Sequence, residues 1–143
     1  MRPRHRVLVG IFIALCGIAI AVGAELNWIG AVHGRQAIGI NTTSLNGLPH
    51  WSYQHTGTFV RSFAIVVVVA GILVVIGGLF GSRLTAGLFA LIALVAAGLW
   101  FGLYSSHYSS TNLSISDLRL GAELTAAGSV LALLSTHFLR RRT

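Results

Sequence analysis

Four long apolar runs, at 7–24, 62–80, 84–104 and 118–139, are separated by three breaks of very different length. At about 1.5 Å per helical residue each run extends roughly 27 Å or more, which matches the hydrocarbon thickness of a bilayer. Proline occurs only at Pro3 and Pro49, outside all four, so nothing in the runs forces a helix to break. The pattern predicts an all-α membrane protein, a single domain over 1–143 built as a four-helix transmembrane bundle. Loops at 25–61 and 105–117 lie on one side. The break at 81–83 is so short that the second and third helices must be antiparallel neighbours.

Each run also carries a stripe of small residues. The first has Gly10, Ala14, Gly17 and Ala21; the second has Ala64, Gly71 and Gly78. The third has Ala86, Ala90, Ala93 and Ala97, and the fourth has Gly121, Thr125, Gly128, Ala132 and Ser135. In lipid there is no hydrophobic drive between helices, so association depends on close approach through small residues and on hydrogen bonds. A seven-residue repeat keeps one face turned to its neighbour and favours a left-handed supercoil. Gly77-x-x-x-Gly81 and Gly98-x-x-x-Gly102 are candidates for a face that meets a second copy.

The segment 25–61 is the one long polar and aromatic stretch. Residues 28–32 and 36–40 flank His33-Gly34-Arg35, and Gly34 supplies the backbone freedom of a tight turn. Asn46-Gly47 is a second turn signal. A small β-hairpin-like extracytoplasmic loop over the bundle is expected, although glycines within both strand candidates weaken the strands. Its aromatic and basic side chains form the candidate interaction surface: Trp28, His33, Arg35, His50, Trp51, Tyr53 and His55. Trp and Tyr gather at membrane interfaces, because an apolar ring there carries a polar edge.

Composition agrees with the pattern: 55% of residues are hydrophobic and 9% charged, against roughly 25% charged in soluble domains. The net charge of +7 comes from ten basic residues, every one arginine. They sit in small groups at the ends of apolar runs and make no basic face, which excludes nucleic acid as a partner. Arg2, Arg4, Arg6, Arg83, Arg140, Arg141 and Arg142 fall on one side of the predicted membrane; Arg35, Arg61 and Arg119 fall on the other, with Glu25, Asp117 and Glu123. The positive-inside rule therefore puts both termini in the cytoplasm. A cleaved signal peptide ending at Val22-Gly23-Ala24 is the rival reading of the first run. That run exceeds the roughly 7–15 apolar residues of a secretory signal, which favours a retained helix. Cys16, the single cysteine, reads as a small apolar packing residue.

Catalytic chemistry finds little support. No P-loop, HExxH, GxSxG or CxxC occurs, and no outer histidine pair has the spacing of converging zinc ligands. No cofactor and no metal is expected. Glu123 lies about one turn, roughly 6 Å, inside Arg119. It is placed to form an interfacial ion pair with Arg119 or Arg61, as is Glu25 at the end of the first run. Near mid-membrane the runs offer Cys16, Gly71, Leu94 and Ser129, none of them the acid or base that a coupled transporter uses.

Trp28 after the first run, the Ser/Gly turn at 44–47, the opening Arg119-Leu120-Gly121 and the terminal arginines resemble the small four-span membrane proteins of actinobacteria. The tryptophan-operon-associated membrane protein family is one such group. The exclusive use of arginine fits the same GC-rich source. That resemblance implies a multi-pass protein of the cytoplasmic membrane and brings no catalytic residues. Trp28, Gly47-Leu48 and Trp51 also echo claudins, but the two cysteines that follow in claudins are absent. The reading is a non-catalytic membrane protein, a scaffold or accessory subunit showing its outer loop to an envelope protein or a second copy. The alternative is a small transporter or channel subunit with Glu123, Arg61 and Arg119 around a shallow outer vestibule. A membrane enzyme using the outer histidines ranks third.

Overall fold

In a computed structural model, residues 3–26, 49, 61–107 and 120–139 are described. They form four α-helices: α1 (Pro3–Gly23), α2 (Phe63–Leu79), α3 (Arg83–His107) and α4 (Leu120–Thr136). A 3-10 turn over His137–Leu139 ends α4. Among the described residues there is no strand, and the hairpin expected within 25–61 lies outside them. The expected helices are all present, with shifted ends. α1 starts at Pro3 rather than at 7, because proline is well suited to the first helical position and the polar Arg4-His5-Arg6 then continues the helix. α3 runs past Tyr104 to His107.

Each helix packs against its neighbours in sequence, and α4 closes the ring against α1; the diagonal α1–α3 contact is slight. Contacts fix the directions. Gly10 meets Gly78 and Gly17 meets Gly71, so α1 and α2 are antiparallel. Gly77 lies on Ala86, and Gly23 and Gly128 of the α1–α4 pair meet Thr125 and Cys16 respectively. The result is an up-down-up-down bundle. Helices α1 and α3 contain stretches, Arg4–Gly23 and Arg83–Leu103, long and apolar enough to cross a membrane.

The stripes of small residues face inward. Gly10, Ala14 and Gly17 of α1, the heptad Ala64, Gly71 and Gly78 of α2, and Ala86, Ala90 and Ala93 of α3 are buried. So are all five small positions of the α4 stripe. At the α1–α2 seam the backbones touch. A methyl group built on Gly10 would lie 2.5 Å from the Gly78 carbonyl oxygen, and one on Gly78 would lie 2.7 Å from that of Gly10. Seven residues along, Gly17 and Gly71 repeat the contact at 2.6 and 2.8 Å. Bulk goes the other way: Leu8, Phe12, Leu15, Ile72, Leu88, Val95 and Leu131 point out and are exposed.

The glycine of the α2–α3 turn has a different task. Gly81 has φ +68°; its N–H donates to the Gly78 carbonyl at 3.2 Å, and Ser82 N–H donates to Gly77 at 2.7 Å. This pair of bonds is a Schellman cap. Ser82 at once begins the next helix, its Oγ accepting the Thr85 N–H at 3.4 Å and donating to Thr85 Oγ1 at 2.9 Å. Two residues therefore end one helix and start the next. The second member of the first GxxxG pair is thus a turn residue, and its first, Gly77, is covered by α3; that motif offers no outward face.

These contacts predict opposite outcomes for glycines that look alike in sequence. Gly10→Ala should lower stability by roughly 1–3 kcal/mol, the usual cost of overpacking where only backbone can give way. Gly98→Ala, with nothing within 4 Å of the new methyl, should be neutral or gain up to about 1 kcal/mol in helix propensity. Gly81→Ala should cost about 1–2 kcal/mol through its left-handed φ. Thermal unfolding of the purified variants checks all three, and equal effects of G10A and G98A would contradict the seam.

Candidate functional site

Three of the sequence-chosen charges come to the same end of the bundle. Glu25 follows the C-terminus of α1, Arg61 precedes α2, and Glu123 stands in the first turn of α4. All three are exposed, and among the described residues no ion pair joins them. Glu123 lies on the outward side of α4, away from the buried row Gly121, Thr125, Gly128 and Ala132. An acid in the first turn still has the positive end of the helix dipole beside it. Arg119, the other proposed partner, lies outside the described residues, as do Trp28, His33, Arg35, His50, Trp51, Tyr53 and His55.

Beneath that end the bundle is filled by large side chains. Trp100 is 0% exposed and Phe63 1%; with Leu103, Ala24 and Ala122 they belong to one core cluster. Trp100 was not among the aromatic residues singled out in sequence. Its signal is the α3 stripe itself: the steps 86, 90, 93, 97 continue to 100, where a tryptophan takes the place of an alanine. Helices α1 and α2 meet through glycines at the Gly10–Gly78 end; at the other end Trp100 is buried and Gly23 lies against Thr125 of α4.

Ser62, Thr125, Ser129, Ser135 and Thr136 are the buried polar residues among those described. Thr125 Oγ1 donates to the Ile20 carbonyl of α1 at 3.5 Å, a bond between helices. Ser129 Oγ donates to Thr125 O at 2.7 Å and Thr136 Oγ1 to Leu133 O at 2.6 Å, within α4. Such bonds spend these three hydroxyl protons on backbone carbonyls. Three of the four sequence positions assigned to mid-depth, Cys16, Gly71 and Ser129, fall at a common level: Gly17 meets Gly71, and the Cys16 carbonyl meets Gly128.

Two grooves open between α2 and α3 on either side of Val66 and Ile92, about 270 Å³ and 280 Å³ in volume. Their walls are aliphatic and aromatic, with Phe63, Leu91, Val95 and Leu99 along one and Ile65, Val69 and Phe89 along the other. Neither wall has a charged or polar side chain to orient a substrate. Among the described residues no group of three His, Cys, Asp or Glu side chains is placed to hold a metal.

The buried indole can be tested directly. Trp100→Ala should lower stability by about 3 kcal/mol, the cavity cost of an unfilled tryptophan site, and Trp100→Phe should recover much of it; unfolding in denaturant measures both. Comparison with protein-family models, with curated proteins and with solved structures yields no match.

Proposed function

We propose that the chain is a four-span integral membrane protein that acts without catalysis, as a scaffold or accessory subunit of the cytoplasmic membrane. Its segment 25–61 presents Trp28, His33, Arg35, His50, Trp51, Tyr53 and His55 to an envelope protein. The observation that carries the membrane reading is the size pattern: glycine, alanine and hydroxyls crowd the helix contacts beside a few large residues such as Ile13, Ile20, Phe63 and Trp100, while a long series of leucine, valine, isoleucine and phenylalanine side chains from Val7 to Phe138 is exposed. A protein in water buries its large apolar side chains and rarely leaves contiguous apolar patches beyond a few hundred Å². Lipid imposes no such demand, and small residues then gather where helices touch.

Helices α2 and α4, each 17 residues, extend about 25 Å, at the short limit for a span. They lie antiparallel to α1 and α3 in the same ring, so a bilayer crossed by one pair is crossed by the other. The distribution of arginines supports both termini in the cytoplasm. The layout likeness to the tryptophan-operon-associated membrane protein family is consistent with this assignment. Coupled transport is disfavoured, because the buried polar side chains among the described residues are serines and threonines rather than the acids and bases of a proton or ion relay.

Two experiments test the reading. In a Cys16→Ala background, His50→Cys in intact cells should react with a membrane-impermeant maleimide and Thr143→Cys should not; labelling of position 143 would invert or abolish the topology. Isolation in mild detergent should retain a partner that is lost on deleting 30–55. Substrate flux in liposomes that disappears in Glu123→Gln would instead establish a transporter.

A further inference from the structure

The end of the bundle opposite Glu25 and Glu123 differs from it in two independent ways. Arg4 and Arg6 on the first turn of α1 and Arg83 at the start of α3 come together there, through the Gly10–Gly78 contact and the tight turn at 80–82. Arg4 and Arg6 are exposed and Arg83 partly so. No described acid shares this end: Glu25 and Glu123 are at the other, and Asp117 lies outside the described residues. In sequence, Arg2 adjoins Arg4, and Arg140 to Arg142 follow the C-terminal turn of α4. The second difference is apolar. Phe80 (83%), Leu84 (81%), Leu79, Phe138 and Leu8 are the most exposed large apolar side chains among the described residues, and all five belong to this end.

We propose that this rim is a binding surface for anionic phospholipid headgroups. The guanidinium groups of Arg4, Arg6 and Arg83 take the phosphates, and Phe80, Leu79, Leu84, Leu8 and Phe138 lie among the acyl chains just beneath. Charge complementarity selects the occupant: a planar guanidinium pairs with phosphate oxygens in bidentate fashion. A soluble acidic protein would meet the charges but would leave the apolar collar in water, whereas a lipid leaflet satisfies both layers. Each arginine near an anionic surface contributes about a fivefold gain in affinity. The rim therefore discriminates between anionic and zwitterionic lipid, beyond simply orienting the chain. The proposal rests on the membrane-spanning reading.

Native mass spectrometry of the detergent-purified full chain, titrated with phosphatidylglycerol or phosphatidylcholine, tests it. Phosphatidylglycerol should be retained about a hundredfold more tightly, roughly fivefold for each of the three arginines, and the preference should weaken as salt rises. Arg4→Gln with Arg6→Gln should cut it about 25-fold, and Arg61→Gln at the other end should leave it unchanged. Equal retention of the two lipids overturns the proposal, as does a preference that survives the double variant. Inorganic phosphate that displaces the lipid at millimolar concentration would do the same, because it would make the site one for a free anion. Failure of the protein to remain in alkali-washed membranes would instead defeat the membrane reading beneath it, so the two failures are told apart.

Discussion

Two helices whose backbones touch set the terms for the rest of this bundle. At Gly10–Gly78 and again at Gly17–Gly71 there is no room for a single methyl group. Contact this close brings many weakly attracting atoms into van der Waals range at once, and in lipid that gain has no competing hydrophobic term to rival it. Once α1 and α2 are joined so tightly, the turn at Gly81-Ser82 places α3 directly beside α2. The Thr125–Ile20 bond and the Gly128–Cys16 contact seat α4 against α1. Large side chains then point outward, apart from those that fill the interior: Ile13, Ile20, Val67, Val74, Phe63, Trp100 and Leu103.

The two ends carry different groups. The end at Gly10 and Gly78 is bordered by arginines and strongly exposed apolar side chains. The other has Trp100 buried beneath it and carries the exposed carboxylates Glu25 and Glu123. Among the described residues the buried polar side chains are serines and threonines.

Much of the frame was legible in the chain. The stripes at 64, 71 and 78 and at 121, 125, 128, 132 and 135 named the buried faces, because helical periodicity is a local property that sequence spacing records directly. Spacing was less informative where a residue type has several uses. Gly77 and Gly81 look like one helix-packing motif, yet one seats α3 and the other turns the chain with a positive φ. Trp100 looked like any aromatic residue near a helix end, but its register continues an alanine stripe and puts it in the core. Ion pairing is not decided by spacing: Glu25, Arg61 and Glu123 reach the same end with exposed side chains, and Arg119 lies outside the described residues. The outer surface from Trp28 to His55 depends on loop conformation, which neither periodicity nor helix packing determines, and it lies outside the described residues.

The central claim is that lipid surrounds these four helices, with small residues at their contacts and large ones facing the acyl chains. Nitroxide labels at Leu15, Ile72, Val95 and Leu131, one outward site on each helix, report that solvent directly through collision with oxygen or with a water-soluble nickel chelate. In reconstituted vesicles all four sites should collide readily with oxygen and scarcely with the chelate, while a label at Arg6 shows the reverse. Chelate collisions at the four sites as frequent as at Arg6 would mean that water bathes the outward face, and the account would be wrong.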